Sequence, residues 1–434
     1  MKIKRDYYLN ELIRSMNNGL IKVITGLKCS GKSYLLRILF KNYLLANGVS
    51  EEQIIEIALD TTSNAALRNP INLSSFIKER VDKSKQMFLF IDEIQRCEDI
   101  PNPVFDKSQF ESKDDIPKIT FHSVLNEILS EYKNVDCYVT GSNSKMLSSD
   151  IITSFRGRAW EIKVYPLSFK EFNYFYGSDE MNNFITYLKY GGMPLVLNFE
   201  KEKDKKAYLL NLFTETYLKD ICERNSIKDS EQLMETIKVL ASTSGSLTNI
   251  TKLTDTFKSV ADKSISRATI DSYMKAIKDA FLVLESNRYD IRRKNIISGS
   301  NKYYFMDTGL RNAALNFSSN NYGHLMESII YMELIRRGYT VNVGVVETWE
   351  SKSKRASYEV DFIATFADRK FYIQSAYSLY DQVKLEQESK SLNLIGDNFK
   401  KIMVHFDSFT NNYDEDGISH IGITKFLLDN SVLS

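Results

Sequence analysis

The first part of the chain alternates between two kinds of hydrophobic pattern. Short apolar runs, of the kind found in buried parallel strands, occur at 20–25, 53–59, 86–95 and 136–142. Apolar residues spaced three and four apart predict helices at about 1–20, 32–46, 73–85 and 120–132. Strands that alternate with helices in this way favour an α/β fold built on a doubly wound parallel sheet.

The pattern changes after the middle of the chain. Residues 205–282 have helical periodicity, whereas 283–306 alternates and contains Gly299 in a polar stretch, which predicts a hairpin with its turn there. From 323 onwards the order is helix, three strands, helix and strand, which predicts a separate α/β unit. Residues 97–118 hold three of the six prolines and are expected to form an exposed insertion loop.

Composition excludes several classes of protein. With 43% hydrophobic and 26% charged residues, the 434-residue chain fits a protein with buried cores, and its net charge of +1 gives no overall bias towards nucleic acid. The four cysteines and four histidines are scattered, without the paired spacing of a zinc site. No apolar run reaches the ~18–20 residues of a membrane span, and the N-terminus is too charged for a signal peptide. We therefore expect a cytoplasmic protein without membrane contact.

A phosphate-binding loop is predicted where the first strand ends. Residues 26–33 read GLKCSGKS and match G-x-x-x-x-G-K-[ST] at every fixed position, with a strand before and a helix after. In such a loop backbone N–H groups point at phosphate oxygens, Lys32 reaches the β and γ phosphates, and Ser33 offers a hydroxyl to Mg²⁺. The residues expected to contact ATP are Gly26, Leu27, Lys28, Cys29, Ser30, Gly31, Lys32, Ser33 and Tyr34. A chance match in a surface turn is the alternative.

Polar residues also end two later strands. Asp92 and Glu93 close the apolar run beginning at residue 86. An acid in that place can help hold Mg²⁺ and a second can polarise the attacking water, so Asp92 is the predicted metal partner and Glu93 the predicted base. After the next strand, Ser142 or Asn143 is predicted to sense the γ-phosphate or to hold the water. Acids that only face solvent, and an ordinary polar turn, are the alternatives.

Two arginines, Arg156 and Arg158, follow these strands. A guanidinium group is always charged and binds phosphate through two parallel hydrogen bonds. One of them is therefore a candidate arginine finger acting on the nucleotide of a neighbouring subunit, and that role predicts a homo-oligomer. A solvated turn or a salt bridge is the alternative for both residues.

Taken together, the motifs resemble one family. The segments GLKCSGKS, FLFIDEIQ, TGSNSKML, FRGRAWEIKVYPLSFKEF and YGGMP, in this order, are similar to AAA-type ATPases of bacteria and archaea in the archaeal-ATPase-like group. The segments YFMDTGLRNA, GHLMESIIYMELIRRGY, YEVDFIA and YIQSAYSL are similar to the C-terminal domain, of uncharacterised function, that members typically carry. The resemblance implies Walker B roles for the acid pair, a sensor role for Ser142 or Asn143, and a finger role for one arginine.

A winged helix is predicted in the middle of the chain. Residues 244–286 have the pattern of two shorter helices, a turn and a longer helix, which Ser264 or Ser266 would cap. The hairpin beyond them carries Arg288, Arg292, Arg293 and Lys294. In a DNA-binding module the longer helix meets base edges and the hairpin meets phosphate. A packing module that joins the ATPase to the C-terminal unit is the alternative.

The last segment resembles the core of the PD-(D/E)xK nuclease fold. Glu327 falls on a predicted helix, Glu359 and Asp361 on a strand, and Gln374 on the next strand. The resemblance implies a second divalent metal held by Glu327, Asp361 and Gln374. However, Gln374 replaces the last acid of the pattern, and Ala376 stands where a water-activating lysine is expected. An active nuclease, an inactive fold that binds nucleic acid or protein, and some other role all stay open.

These observations predict an organisation and a function. The expected domains are an ATPase core at 1–175, a helical lid at 176–229, a winged helix at 230–310 and a nuclease-like α/β domain at 311–434. The expected function is Mg²⁺-dependent ATP hydrolysis, coupled to the binding or remodelling of DNA. The alternative is a nucleotide-gated switch that acts on a protein partner and has an inactive nuclease-like domain.

Overall fold

The computed structural model describes most of the chain. The described residues are 3–105, 112, 115–142, 155, 157–177, 179–261, 265–318, 321–351, 354–377, 382–406 and 412–433. They form two compact units, Met1–Val164 and Tyr165–Ser434. Within these residues, no helix combines the length and the apolar character needed to cross a membrane.

The first unit contains a five-stranded parallel sheet. The strands of this unit are β1 (Ile21–Thr25), β2 (Ile54–Ala58), β3 (Met87–Asp92), β4 (Ile100–Pro101), β5 (Lys118–Ile119), β6 (Val135–Thr140) and β7 (Ala159–Lys163). The sheet has the order β2-β3-β6-β1-β7, with every neighbouring pair parallel, while β4 and β5 form a separate antiparallel pair. The predicted parallel sheet is therefore confirmed, and its carboxyl ends share one edge.

Helices pack on both faces of this sheet. They are α1 (Asp6–Arg14), α2 (Lys32–Tyr34, continued by the π-helical Leu35–Phe40 and by Lys41–Ala46), α3 (Pro70–Lys78) and α4 (Phe121–Glu131). Side chains alternate along a strand, so β3 presents Leu89 to one face and Phe90 to the other. Leu89 belongs to a buried core with Leu73 of α3 and Leu125 of α4. The ring of Phe90 lies 5.8 Å from that of Phe40 in α2.

The second unit begins with helices. They are α5 (Phe169–Tyr176), α6 (Glu180–Tyr190), α7 (Glu202–Asn211, continued by the π-helical Leu212–Leu218 and by Lys219–Asn225), α8 (Ser230–Ser242), α9 (Ile250–Ala261), α10 (Arg267–Asp279) and α11 (Thr308–Ala314). Three more helices alternate with later strands: α12 (Tyr322–Arg336), α13 (Gln382–Asn393) and α14 (Ile423–Leu428). Helices α7 to α10 confirm the helical periodicity of residues 205–282.

An eight-stranded mixed sheet forms the rest of the second unit. Its strands are β8 (Val283–Asp290), β9 (Asn295–Phe305), β10 (Thr340–Ser351), β11 (Lys354–Phe366), β12 (Arg369–Ala376), β13 (Lys400–His405), β14 (Asn412–Tyr413) and β15 (Ser419–Gly422). Their order is β14-β15-β13-β12-β11-β10-β8-β9, and β8 runs parallel to β10 with Arg288 opposite Val343. The hairpin and the later strands thus share one sheet, which crosses the expected boundary at 310/311.

The hairpin turns at a different place from the predicted one. Strands β8 and β9 are joined by residues 291–294, whereas Gly299 lies within β9 at φ +126°. The pairing shifts between Ser286 and Arg288 of β8, so the stretch around Gly299 bulges out of the ladder. A bulge uses a positive-φ glycine as readily as a turn does, and the prediction of a turn at Gly299 is therefore wrong.

Two of the sequence motifs, YGGMP and MDTGL, pack against each other in the second unit. The buried carboxylate of Asp307 accepts hydrogen bonds from the backbone N–H of Gly192 at 2.7 Å and of Leu310 at 3.0 Å. A Cβ on Gly191 would lie 2.2 Å from the Asp307 carboxylate, so the close approach needs a glycine there. The two motifs therefore join segments of the second unit that are distant in sequence, and their role is structural.

Candidate functional site

The loop GLKCSGKS connects the carboxyl end of β1 to α2. Gly26 has φ +131°, and a Cβ there would lie 2.0 Å from the carbonyl oxygen of Val164, so this position accepts only glycine. Gly31, at φ +96°, turns the backbone into α2. The loop therefore ends in a helix N-terminus, whose free N–H groups and dipole suit phosphate.

Side chains of the loop fix its shape. Leu27, Ser30 and Lys32 are buried, Lys28, Ser33 and Tyr34 are half-buried, and Cys29 is exposed. The amine of Lys32 donates to the carbonyl oxygens of Gly26 at 3.1 Å and Leu27 at 2.9 Å. The hydroxyl of Ser30 donates to the carbonyl oxygen of Val164 at 3.3 Å. Lys32 thus lies over the loop, and its ammonium group is close to the backbone atoms that surround the predicted phosphate site.

Asp92 lies at the carboxyl end of β3 and is the acceptor for two hydroxyl groups. Ser33 donates to its Oδ1 atom at 3.0 Å, and Thr140 at the end of β6 donates to the same atom. Thr140 also accepts a hydrogen bond from the backbone N–H of Glu93 at 3.0 Å. The structure therefore brings together the two predicted metal residues, Ser33 and Asp92. Thr140 is a further member that the sequence interpretation missed.

Glu93 begins a tight turn after β3. Its backbone is left-handed at φ +54°, and the 3₁₀ turn Ile94–Arg96 follows. The side-chain amide of Gln95 donates to the Glu93 carboxylate and, at 3.3 Å, to the hydroxyl of Ser142. Ser142 in turn donates to the same carboxylate at 3.3 Å. The predicted base and one predicted sensor residue are thus in contact, and Gln95 joins them.

Arg158 is the one remaining predicted residue of this site that the structure describes, and it does not lie near the others. Asn143 and Arg156 lie outside the described residues. Arg158 is exposed at the amino end of β7, and its guanidinium donates to the hydroxyl of Ser130 at 3.3 Å. Because β7 is parallel to β1, Arg158 lies at the opposite edge of the sheet from the loop. It therefore cannot serve the nucleotide site of its own chain.

Oxygen atoms at this edge of the sheet fit a hard divalent cation. Mg²⁺ in nucleotide sites is held by one or two protein oxygens together with water and phosphate oxygens. Ser33 and Asp92 offer a hydroxyl and a carboxylate oxygen 3.0 Å apart. The loop N–H groups and Lys32 offer the donors and the positive charge that a triphosphate needs. The site is therefore suited to a nucleotide with its Mg²⁺.

A second cluster of charged residues lies in the eight-stranded sheet. The ammonium of Lys302, on β9, is 2.6 Å from Glu327 Oε1, 2.7 Å from Glu359 Oε1 and 3.4 Å from Asp361 Oδ1. Tyr304 also donates to Glu327 Oε1, at 2.7 Å. Burial raises the pKa of Glu327 to about 7, although Lys302 opposes that shift. Glu327, Glu359 and Asp361 therefore lie close together, as the resemblance implies, but they surround the ammonium group of Lys302.

Gln374 does not face this cluster as a ligand. Its amide oxygen accepts the backbone N–H of Asp361 at 3.1 Å, and its amide nitrogen donates to Glu388. Among the residues that the structure describes, no group of three or more His, Cys, Asp and Glu side chains could hold a metal ion. The geometry thus places an ammonium group where the resemblance implies the second metal.

The middle segment has the element order expected of a winged helix. Helices α8, α9 and α10 precede the β8–β9 hairpin, and Thr248 pairs with Asn301 as an isolated bridge. Ser266 caps α10 by accepting the N–H of Thr269 at 3.0 Å, whereas Ser264 lies outside the described residues. The exposed residues of α10 include Arg267, Asp271, Ser272 and Lys275. Arg292, Arg293 and Lys294 are exposed at the hairpin turn and Arg288 is half-buried.

Comparison with known proteins finds relatives along nearly the whole chain. An uncharacterized protein of Haemophilus influenzae is 33% identical over 436 residues, covering 98% of this chain and 98% of that protein. The uncharacterized protein MJ1544 of Methanocaldococcus jannaschii is 30% identical over 411 residues, covering 90% of this chain and 83% of that protein. Neither name states an activity.

Family models match two parts of the chain. A model described as an AAA domain matches residues 18–173, which include the loop, Asp92 and Glu93. A domain of unknown function, DUF8612, matches residues 181–321. Among solved structures, the Walker-type ATPase paby2304 of Pyrococcus abyssi is 14% identical and covers 72% of this chain and 96% of that chain, with a TM-score of 0.48. The AAA match agrees with the resemblance that the loop and acid motifs carry.

Proposed function

The chain belongs to the family of the H. influenzae and M. jannaschii relatives, and we propose that it is a Mg²⁺-dependent ATPase whose turnover is coupled to DNA. The observation that carries the ATPase part is the contact of Ser33 with Asp92 inside a matched AAA domain. That contact supports a site with both a phosphate-binding loop and an acid at a strand end, which is the arrangement that phosphoryl transfer requires.

Each residue of the site has a role in this proposal. The loop N–H groups and the Lys32 ammonium would bind the phosphates, and Ser33 with Asp92 would hold Mg²⁺. A bound Mg²⁺ neutralises phosphate charge and orients the phosphate oxygens. Glu93 accepts a proton from the attacking water, while Gln95 and Ser142 orient its carboxylate through the hydrogen bonds described above.

The helix–hairpin segment supports the DNA part of the proposal. Helix α10 has an exposed polar face, and the hairpin turn after it carries Arg292, Arg293 and Lys294. In winged-helix proteins such a helix enters the major groove while the hairpin contacts phosphate. The bridge between Thr248 and Asn301 supports that comparison, because it pairs the segment before α9 with β9 of the hairpin.

The coupling is tested by the ATPase rate with and without duplex DNA, and by DNA affinity as a function of salt. Replacing Arg292, Arg293 and Lys294 by alanine should weaken DNA binding and flatten the plot of log K against log salt, by about 0.9 for each phosphate that is no longer neutralised. The matched control removes three exposed lysines outside that segment, Lys201, Lys203 and Lys228. A DNA affinity equal in both triple variants contradicts the DNA part and leaves the ATPase part standing.

A homo-oligomer is part of the same proposal. Arg158 is exposed and lies at the edge of the sheet away from its own loop, so it can reach a nucleotide only on another subunit. Arg158→Ala should lower the ATPase rate of the assembly without changing ATP binding. Mixing Arg158→Ala with Lys32→Ala subunits should restore some activity if the arginine acts between subunits. Absence of any restoration at every mixing ratio argues against that role.

A protein-directed switch is the second candidate function. The cluster around Lys302 supports it, because an ammonium group among the three acids fits the inactive nuclease-like domain of this candidate. The two candidate functions differ in the effect of DNA on the ATPase rate and in the effect of the bound nucleotide on partner binding. A DNA-coupled enzyme gains ATPase rate with DNA, whereas a switch keeps its slow rate with DNA and retains a protein partner with ATP but not with ADP.

A further inference from the structure

We infer that Lys302 is the resident cation of the C-terminal acidic cluster, so that this domain takes no divalent metal and does not cleave phosphodiester bonds. The cluster is formed by the ammonium of Lys302 and the carboxylates of Glu327, Glu359 and Asp361. This role draws only on contacts within Tyr165–Ser434, whereas the proposed ATP site lies in Met1–Val164.

Three carboxylates converge from two elements. Glu359 and Asp361 are two residues apart on β11 and therefore point to the same face of the sheet, while Glu327 comes from α12. In the nuclease pattern that this segment resembles, such acids surround a divalent ion. Glu327 and Asp361 are buried and Glu359 is half-buried, so water screens the repulsion among the three carboxylates only in part. A cation among them relieves that repulsion.

Lys302 supplies that charge from the hairpin strand β9. Its side chain is only 3% exposed, and its nitrogen lies 2.6, 2.7 and 3.4 Å from one oxygen of each acid. An ammonium group has three N–H donors, which matches the number of acids around it. Burial by itself would lower the pKa of Lys302, but the three carboxylates outweigh burial and hold that pKa above its usual value. The lysine is therefore charged at neutral pH.

Other hydrogen bonds occupy the oxygens that an ion would need. Tyr304 donates to the same Glu327 oxygen as Lys302, at 2.7 Å. The backbone N–H of Ser375 donates to Asp361 Oδ2 at 2.9 Å. Gln374, the third ligand that the resemblance implies, donates its amide to Glu388. A divalent ion would have to displace these donors and lie beside a buried ammonium of the same charge sign, which opposes its binding.

The nuclease pattern offers a competing interpretation of Lys302, as the amine that activates water beside a bound metal. That role requires a metal in the wild-type protein, whereas a resident cation excludes one. Metal binding therefore separates the two interpretations, without any need for a known DNA substrate. The expected position of the nuclease lysine is occupied by Ala376, which is 4% exposed on β12.

The test is a titration of the full chain with Mn²⁺ in the absence of nucleotide. Binding is measured by the decrease in the electron paramagnetic resonance signal of free Mn²⁺. Asp92→Asn is present in every sample so that the predicted nucleotide site does not contribute. The parent protein should bind no Mn²⁺ at the cluster, so adding Asp361→Asn should change nothing. Lys302→Met should gain a Mn²⁺ site that the parent lacks, and millimolar Mn²⁺ should raise the melting temperature of this variant alone.

A matched control is Lys370→Met, because Lys370 is a half-buried lysine that has, among the described residues, one carboxylate partner, Asp397. It should gain no Mn²⁺ site. Mn²⁺ binding by the parent that Asp361→Asn abolishes overturns the inference, and so does a folded Lys302→Met variant that gains no site. If Lys302→Met does not fold, the comparison of the parent with Asp361→Asn decides by itself, because equal Mn²⁺ titrations support the resident cation and unequal ones overturn it.

Discussion

The hydroxyl of Ser33 donates a hydrogen bond to the carboxylate of Asp92 over 3.0 Å, although 59 residues separate them in the chain. Thr140 donates to the same carboxylate from β6, the strand that lies between β1 and β3 in the sheet. Because all three strands are parallel, their carboxyl ends meet at one edge. The contact therefore follows from the strand order, and the proposed ATP site depends on that order.

Removing the proposed base should separate binding from hydrolysis. Glu93→Gln keeps the size of the side chain and its contact with Gln95 but removes the proton acceptor. We expect the rate of ATP hydrolysis to fall by about 10²–10⁴-fold while ATP binding is retained. Single-turnover hydrolysis and titration with a fluorescent ATP analogue measure the two quantities. The control is Glu98→Gln, an exposed acid nearby, and equal rates in both variants would exclude Glu93 as the base.

Replacing Thr140 should lower the rate of ATP hydrolysis more than replacing another hydrogen-bonded threonine does. Thr140→Val keeps the shape but removes the donor to Asp92 and the acceptor for the N–H of Glu93. Without these hydrogen bonds the Asp92 carboxylate and the Glu93 backbone each lose a restraint, so the hydrolysis rate should fall by at least about tenfold, which is about 1.4 kcal/mol of activation free energy. The control is Thr25→Val, whose hydroxyl donates to Glu161 at 3.1 Å. Steady-state ATPase assays should show the larger loss for Thr140→Val; the reverse order would contradict the assignment.

Gln95 should affect turnover without affecting affinity. Its amide donates to the Glu93 carboxylate and to Ser142, so Gln95→Leu leaves the Glu93 side chain with one fewer restraint. We expect kcat to fall and the KM for ATP to stay constant, because Gln95 does not belong to the phosphate loop. Arg96→Gln, an exposed change in the same turn, is the control. A rise in KM without a fall in kcat would point to a structural role only.

A buried histidine should make stability depend on pH. His405 Nε2 lies 2.7 Å from His420 Nδ1, and His420 Nε2 lies 3.0 Å from Asp414. Burial, followed by His420, lowers the pKa of His405 to about 4, from a usual value of 6.5. The stability that neutral His405 contributes is thus complete above its unfolded pKa and is lost as pH falls through the folded one.

The measurement compares wild type with His405→Gln by thermal unfolding at several pH values between about 7 and about 4. Wild type should lose more of its melting temperature across that range than the variant does. The variant is less stable at neutral pH, so only the slope with pH is informative. Parallel curves for the two proteins would show that His405 does not remain neutral in the folded state.

A glycine of the second unit should tolerate no side chain. A Cβ on Gly192 would lie 2.2 Å from the carbonyl oxygen of Leu167, whose N–H in turn donates to the carbonyl oxygen of Gly192. We expect Gly192→Ala to lower the free energy of unfolding by about 1–3 kcal/mol, since the backbone must move. Gly396→Ala is the control, because an added Cβ there meets no atom within 4 Å. Urea denaturation measures both variants, and equal midpoints would refute the close contact.

The sequence predicted that Ser33 and Asp92 lie close together, because each of them stands just beyond or at the end of a strand. The loop, Asp92 and Glu93 all lie directly after apolar runs, and parallel strands bring such positions together. The role of Thr140 was not predicted, because Thr140 is the last residue of an apolar strand and nothing in the sequence distinguishes it from the other strand residues. Its hydroxyl reaches Asp92 only because β3 and β6 pair with Ile91 opposite Val139. That register depends on tertiary packing and has no local signal.

Lys302 could not be predicted for a similar reason. It lies in an alternating polar stretch of a hairpin, where a lysine normally faces solvent. Its partners Glu327, Glu359 and Asp361 lie between 25 and 59 residues further along the chain, and only the pairing of β8 with β10 brings β9 into the same sheet. The sequence interpretation sought the missing amine near Gln374, because the nuclease pattern is defined by spacing along one strand. Sheet pairing supplied it from another part of the chain.

The contact of Asp307 with Gly192 limits how this protein can be divided or recombined. The two residues are 115 positions apart, and the backbone N–H of Gly192 has the Asp307 carboxylate as its acceptor. A fragment that ends between them exposes an N–H group and a glycine surface that evolved to be covered. Exchange of segments between relatives should therefore preserve residues 192–307 as a single inherited block.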